Sequence, residues 1–177
     1  KLGIAGLGAF LFLRLFIGTP SALFGGAVYT FIGFHSAWFY WPQVSTSAWI
    51  PWLLWSVAGW HLYLKARWCL MIVLTAIMLI LGGMPAVAAY GFYSAALLAA
   101  LFPIVVKTPL KKSLKVFSVT FISIGIAFLI VAIPLLGFYE VLSSYIDLEG
   151  RRARQNLEIS MNEWMLFIDP YFDGYPK

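Results

Sequence analysis

The stretch "LILGGMPAVAAYGFY" (79–93) carries two glycines and a proline inside an otherwise apolar run. Proline has no amide hydrogen to donate and its ring clashes with the preceding helical turn, while adjacent glycines raise the backbone entropy that a helix must overcome. One hydrophobic block therefore becomes two helices, with Gly82, Gly83 and Pro85 as the structural turn between them. How every other apolar run is counted follows from this break.

The composition predicts the class. Hydrophobic residues make up 62% of the 177 and charged residues 11%, with a mean hydropathy of +0.89, whereas a soluble domain is about 25% charged. An integral membrane protein is expected. A hydrocarbon core takes about 20 helical residues to cross, and only helices or closed barrels satisfy their own backbone there. The apolar runs are too long and too unalternating for barrel strands. The expected fold is all-α, a polytopic transmembrane helical bundle of about six membrane segments, at 2–17, 20–34, 48–64, 68–81, 85–106 and 114–136. Several are short for a full span, which leaves room for a tilted, broken or half-inserted element within 20–64.

The chain begins at Lys1 inside an apolar segment and stops at "DGYPK" in a polar one, and reads as a fragment of a longer polypeptide. Residues 1–136 are expected to form the transmembrane helical region, and 137–177 an extracytoplasmic juxtamembrane segment leading into a further outer domain. No charged n-region or small-residue cleavage site precedes Leu2, so no signal peptide is expected. The single cysteine, Cys69, allows neither an intrachain disulfide nor a Cys-based metal site and reads as a small apolar helix residue.

Basic residues orient the segments, because cytoplasmic connections are enriched in Lys and Arg. Arg14 ends the first segment, Lys65 and Arg67 join the third to the fourth, and "KTPLKKSLK" (107–115) joins the fifth to the sixth. These connections fall on one side if every segment crosses. The loop "HSAWFYWPQVSTSAW" (35–49), the turn "GGMP" (82–85) and everything after Leu136 then lie outside. All seven acidic residues lie beyond the sixth segment, so no intramembrane proton relay or ion pathway is evident, and this counts against a transporter.

Trp38, Trp41, Trp49, Trp52 and Trp55 cluster in and beside the outer loop. They read either as an interfacial belt at headgroup depth or as platforms that stack on sugar rings. His35 and Gln43 are polar groups expected at the same outer surface, His35 as a satisfied structural residue or as a reactive one.

The order "GTPSALFGGAVYTFIGFHSAWFYWPQVSTSAWIPWLLW", a basic connection, then "LILGGMPAVAAYGFY" resembles the YfhO family of bacterial membrane proteins. The matching elements are Gly33 with Phe34, then Trp49-Ile50-Pro51-Trp52, then Gly83-Met84-Pro85-Ala86 with Tyr90. That family is similar to glycosyltransferases of the GT-C type. The resemblance implies transfer of a sugar from a polyprenyl-phosphate carrier to an extracytoplasmic acceptor, by a multi-pass protein of the bacterial inner membrane. Met84 and Ala86 stand where the family often has His and Gln, and the catalytic acid of such enzymes would precede Lys1. The catalytic residue is therefore not assigned.

The tail supplies further candidates. "LEGRRARQNLE" clusters Arg151, Arg152 and Arg154 on the expected outer face, where guanidinium forks would hold a carrier phosphate or would pair locally with Glu149 and Glu158. Asp169 and Asp173 in "IDPYFDGY" read as a turn rather than a metal site. The expected substrate-binding set is His35, Trp38, Gln43, Trp49, Trp52, Tyr90, Arg151, Arg152 and Arg154, with no metal and no cofactor. Expected partners are membrane lipid, a polyprenyl-phosphate-linked sugar and partner membrane subunits, and not nucleic acid. The alternatives to a glycosyltransferase are a non-catalytic membrane subunit packing in a larger complex and a lipid or polysaccharide flippase.

Overall fold

A computed structural model describes residues 1–145, in which every regular element is a helix. In chain order these are α1 (Leu2–Leu13), α2 (Thr19–Thr30), α3 (Gly33–Ala37), α4 (Pro42–Ser47), α5 (Ile50–Tyr63), α6 (Ala66–Leu81), α7 (Pro85–Val105), α8 (Leu110–Ile130) and α9 (Ala132–Tyr145). The chain divides into two compact units, Lys1–Pro134 and Leu135–Lys177. The first contains α1 to α8.

The break in "LILGGMP" has the expected form. Helix α6 stops at Leu81, Gly83 takes a φ of +88°, and Pro85 opens α7. A left-handed φ is open to glycine without a steric penalty, and proline is pre-organised for a first helical turn whose amides lack partners anyway. Helices α6 and α7 nevertheless touch each other far less than either touches α5. The turn spreads them around α5 instead of closing them into a tight pair. Helix α8 packs on α6 and α7, and α1 joins its partner α2 to the rest through α5.

Other boundaries differ from the expectation, for local reasons. The segment expected at 20–34 closes at Thr30, and the outer loop is occupied by the short helices α3 and α4. The segment expected at 114–136 instead starts at Leu110 behind Pro109, taking Lys111 and Lys112 into the helix as well. Lysine is a good helix former, so charge alone does not end a helix. The same segment breaks at Val131, because Pro134 cannot donate to the Ile130 carbonyl.

Two helices, α7 and α8, are long and apolar enough to cross a membrane. Their 21 residues each reach about 32 Å. The other expected segments are shorter, with 12 residues in α1 and in α2, 14 in α5 and 16 in α6. Of the six membrane segments expected, two are helices of spanning length among the described residues.

Packing follows a size rule. Helix α7 buries Val87, Ala88, Gly91, Ala95, Ala99 and Pro103, and turns Tyr90, Tyr93, Leu97, Leu101 and Ile104 outward. Helix α8 buries Val116, Thr120, Ser123 and Ala127, and exposes Phe117, Phe121, Ile122, Phe128 and Leu129. Small inward residues let backbones approach closely, and large outward apolar ones lose nothing in hydrocarbon but would be costly in water. Buried hydroxyls are satisfied within their own helices: Thr120 donates to the Val116 carbonyl at 2.8 Å, Thr75 to Met71 at 2.7 Å and Ser56 to Trp52 at 2.7 Å. None of these three needs water. The larger core side chains, Leu53, Val57, Trp60, Trp68, Ile72 and Leu79, come from α5 and α6.

Candidate functional site

Helices α3 and α4 form a cap over one end of the first unit. Trp41 is extended ahead of Pro42, as a residue before proline tends to be, and Pro42 opens α4. The cap turns His35 inward to 0% exposure. Its Nδ1 lies 3.3 Å from the Thr30 carbonyl and its Nε2 3.0 Å from the Ser47 hydroxyl. A carbonyl only accepts, so in the neutral ring Nδ1 carries the proton and Nε2 accepts from Ser47. The Val44 carbonyl, at 3.3 Å, is the alternative acceptor for the single Ser47 hydrogen. Tyr29 braces the arrangement, donating to the Ser47 carbonyl at 3.0 Å and meeting the imidazole edge-on at 5.0 Å.

The cap is bolted to the glycine turn. The Met84 amide donates to the Thr46 hydroxyl at 3.2 Å, and a Cβ added at Gly82 would lie 2.6 Å from the Thr46 Cα. At Gly83 an added Cβ would contact Pro42 at 3.5 Å. Residues 35–49 and the turn at 82–85, which the sequence places on the same outer face, meet at backbone contact. That closeness is possible because Gly82 has no side chain.

The remaining expected site residues separate. Trp38 is exposed and stands edge-on to Trp41 at 6.1 Å, beside Tyr40, which is 92% exposed. Trp49 packs against the core, and Trp52, tilted against it at 6.0 Å, donates its indole N–H to the Ile4 carbonyl at 2.8 Å. Trp52 also fills the space that Gly8 leaves on α1. Tyr90 faces outward from α7. Gln43 is half-buried, with its side-chain oxygen buried and unbonded. Arg151, Arg152 and Arg154 lie outside the described residues, as do Asp169 and Asp173. A cavity of about 350 Å³ lies beside His35, bounded by Leu2, Thr30, Phe31, Ser36, Phe39 and Tyr40.

The opposite end is built differently. Arg14 and Arg67 both line a cavity of about 440 Å³. The His61 Nε2 lies 3.0 Å from the Thr108 hydroxyl, and Phe16 meets Phe102 edge-on at 5.5 Å. The three basic connections thus converge on one end. In the sequence, Arg14 and Arg67 mark only the orientation of the segments. Their common cavity depends on α1 meeting α5 and α6, which no spacing along the chain reveals.

Searches against family models, curated proteins and solved structures return no match for this chain.

Proposed function

We propose that the chain is a multi-pass helical module of a bacterial inner-membrane protein, with its basic end in the cytoplasm and its capped end outside. It acts as a packing scaffold for the protein or complex around it. The observation that carries this reading is the partition on α7 and α8: the inward residues are Ala, Gly, Ser, Thr, Val and Pro, while the outward ones include Leu, Phe, Ile and Tyr. This pattern suits a lipid or partner-helix environment. Helices α1, α2, α5 and α6 then enter as partial crossings, since shorter apolar segments are accommodated by bilayer thinning and by neighbours.

Two measurements test it. Alkaline carbonate should leave the chain in the membrane pellet, and release into the supernatant would end the reading. In a Cys69→Ala background, an impermeant thiol reagent applied to intact cells should label Tyr40→Cys and leave Lys111→Cys unmodified; the reverse pattern would invert the orientation.

A second reading, a GT-C-like enzyme transferring a sugar from a polyprenyl-phosphate carrier, draws on the exposed Trp38, Tyr40 and Trp41 beside the His35 cavity. Aromatic faces of this kind stack on sugar rings. Arg151, Arg152 and Arg154 would hold the carrier phosphate. Replacing Trp38 and Trp41 together by Ala should then abolish transfer of carrier-linked sugar while leaving the fold intact, and unchanged transfer would return both rings to an interfacial belt.

A further inference from the structure

The cavity at the basic end combines two chemistries. Leu11, Leu15, Trp55 and Met71 give it apolar walls, and Arg14 and Arg67 add two exposed guanidinium groups. Trp68 organises the charged side. It is buried, stacks on Tyr63 at 5.6 Å with rings 13° apart, and meets Trp55 edge-on at 4.8 Å. The Arg67 guanidinium lies 5.4 Å from the Trp68 ring centroid, so the side chain rests on an aromatic face held on both sides.

Among the described residues, neither arginine pairs with a carboxylate. Arg14 reaches only the Ile17 carbonyl, at 3.4 Å. Arg67 sits in the first turn of α6, where the helix dipole is positive, and that turn has no acidic residue and no side-chain cap. The Trp68 indole N–H is buried without an acceptor. Two forked cations and a positive helix end border a space with apolar walls.

We infer that this cavity binds the phosphate headgroup of an anionic membrane lipid, with Arg14 and Arg67 on the phosphate and Leu11, Leu15, Trp55 and Met71 against the glycerol and upper acyl chain. Guanidinium forks match phosphate oxygens bidentately, and Arg is weakly hydrated enough to do so at an interface. The inference rests on the membrane reading above only in placing this end at the cytoplasmic leaflet, whose anionic lipids attract basic segments.

The test is native mass spectrometry of the full chain in a neutral detergent, titrated with phosphatidylglycerol, with phosphatidylcholine of the same acyl chains, or with inorganic phosphate. Phosphatidylglycerol should be retained over phosphatidylcholine. The double variant Arg14→Gln/Arg67→Gln should hold it about tenfold more weakly, whereas Lys111→Gln/Lys112→Gln, which removes equal charge away from the cavity lining, should stay within about twofold. Met71→Trp, which fills the cavity and leaves both arginines in place, should also weaken retention, so the inference can be judged even if the double variant fails to fold. Equal retention of the two lipids, equal loss in the lysine control, or normal retention in Met71→Trp would each overturn the site. Inorganic phosphate binding alone and keeping lipid out would overturn the lipid as its ligand. Carbonate extraction of the same preparation separates the two failures: a chain that stays in the membrane yet shows no lipid preference lacks the site, and a released chain lacks the membrane placement.

Discussion

The two ends of the first unit solve the same problem, joining helices, in opposite ways. At the capped end the polar groups that matter are turned inward and bonded: His35 to Thr30 and Ser47, Tyr29 to Ser47, and Met84 to Thr46. Its tightest turn uses glycine where φ is positive. At the basic end two arginines share an open cavity, and two turns place non-glycine residues, Leu64 and Lys107, at a φ of +50°. One end is closed by packing. The other keeps charge, volume and some backbone strain in reserve, which is how binding sites differ from structural joints.

The comparison would break first at Gly82. Gly82→Leu should destabilise the chain by about 3 kcal/mol, because the new side chain meets Thr46 backbone that cannot yield. Met84→Leu, which conserves volume, should cost less than about 1 kcal/mol. Thermal unfolding in detergent micelles reads both, and equal tolerance would mean that cap and turn are not in contact. His35→Leu is next, at about 2 kcal/mol, since it leaves the buried Ser47 and Thr30 groups to find other partners. Stability of this variant equal to the parent would show the imidazole is not a structural tie.

Smaller effects sharpen the contrast. Gly83→Ala should lose about 1 kcal/mol through its positive φ, whereas Leu64→Gly should gain up to about 1 kcal/mol by relieving the same kind of strain at the other end. Opposite signs in one melting assay are the expected result, and a loss in both would mean that Leu64 packing outweighs its backbone. Arg67→Gln should change stability by no more than about 0.5 kcal/mol, as an exposed cation without a carboxylate partner contributes little to folding. A large loss there would make the basic end as structural as the cap.

The sequence by itself determined the helical class, the break at Gly82 to Pro85 and the grouping of basic connections, because each rests on local chemistry: helix period, proline's missing donor, glycine's freedom and the clustering of charge. It did not determine where α2 and α8 end or that 35–49 would be helical, since short helices are held by what they pack against and not by propensity. His35 and Gln43 were both legible as candidate polar groups, yet only the tertiary structure decided that His35 is locked between Thr30 and Ser47 while the Gln43 oxygen is left unbonded. Only the tertiary structure brought Arg14 on α1 to the same cavity as Arg67 on α6. The reason is physical: a contact between residues more than fifty positions apart depends on how small residues such as Gly8 and Gly59 let Trp52 and Trp68 seat between helices, and that fit exists only once the helices have met.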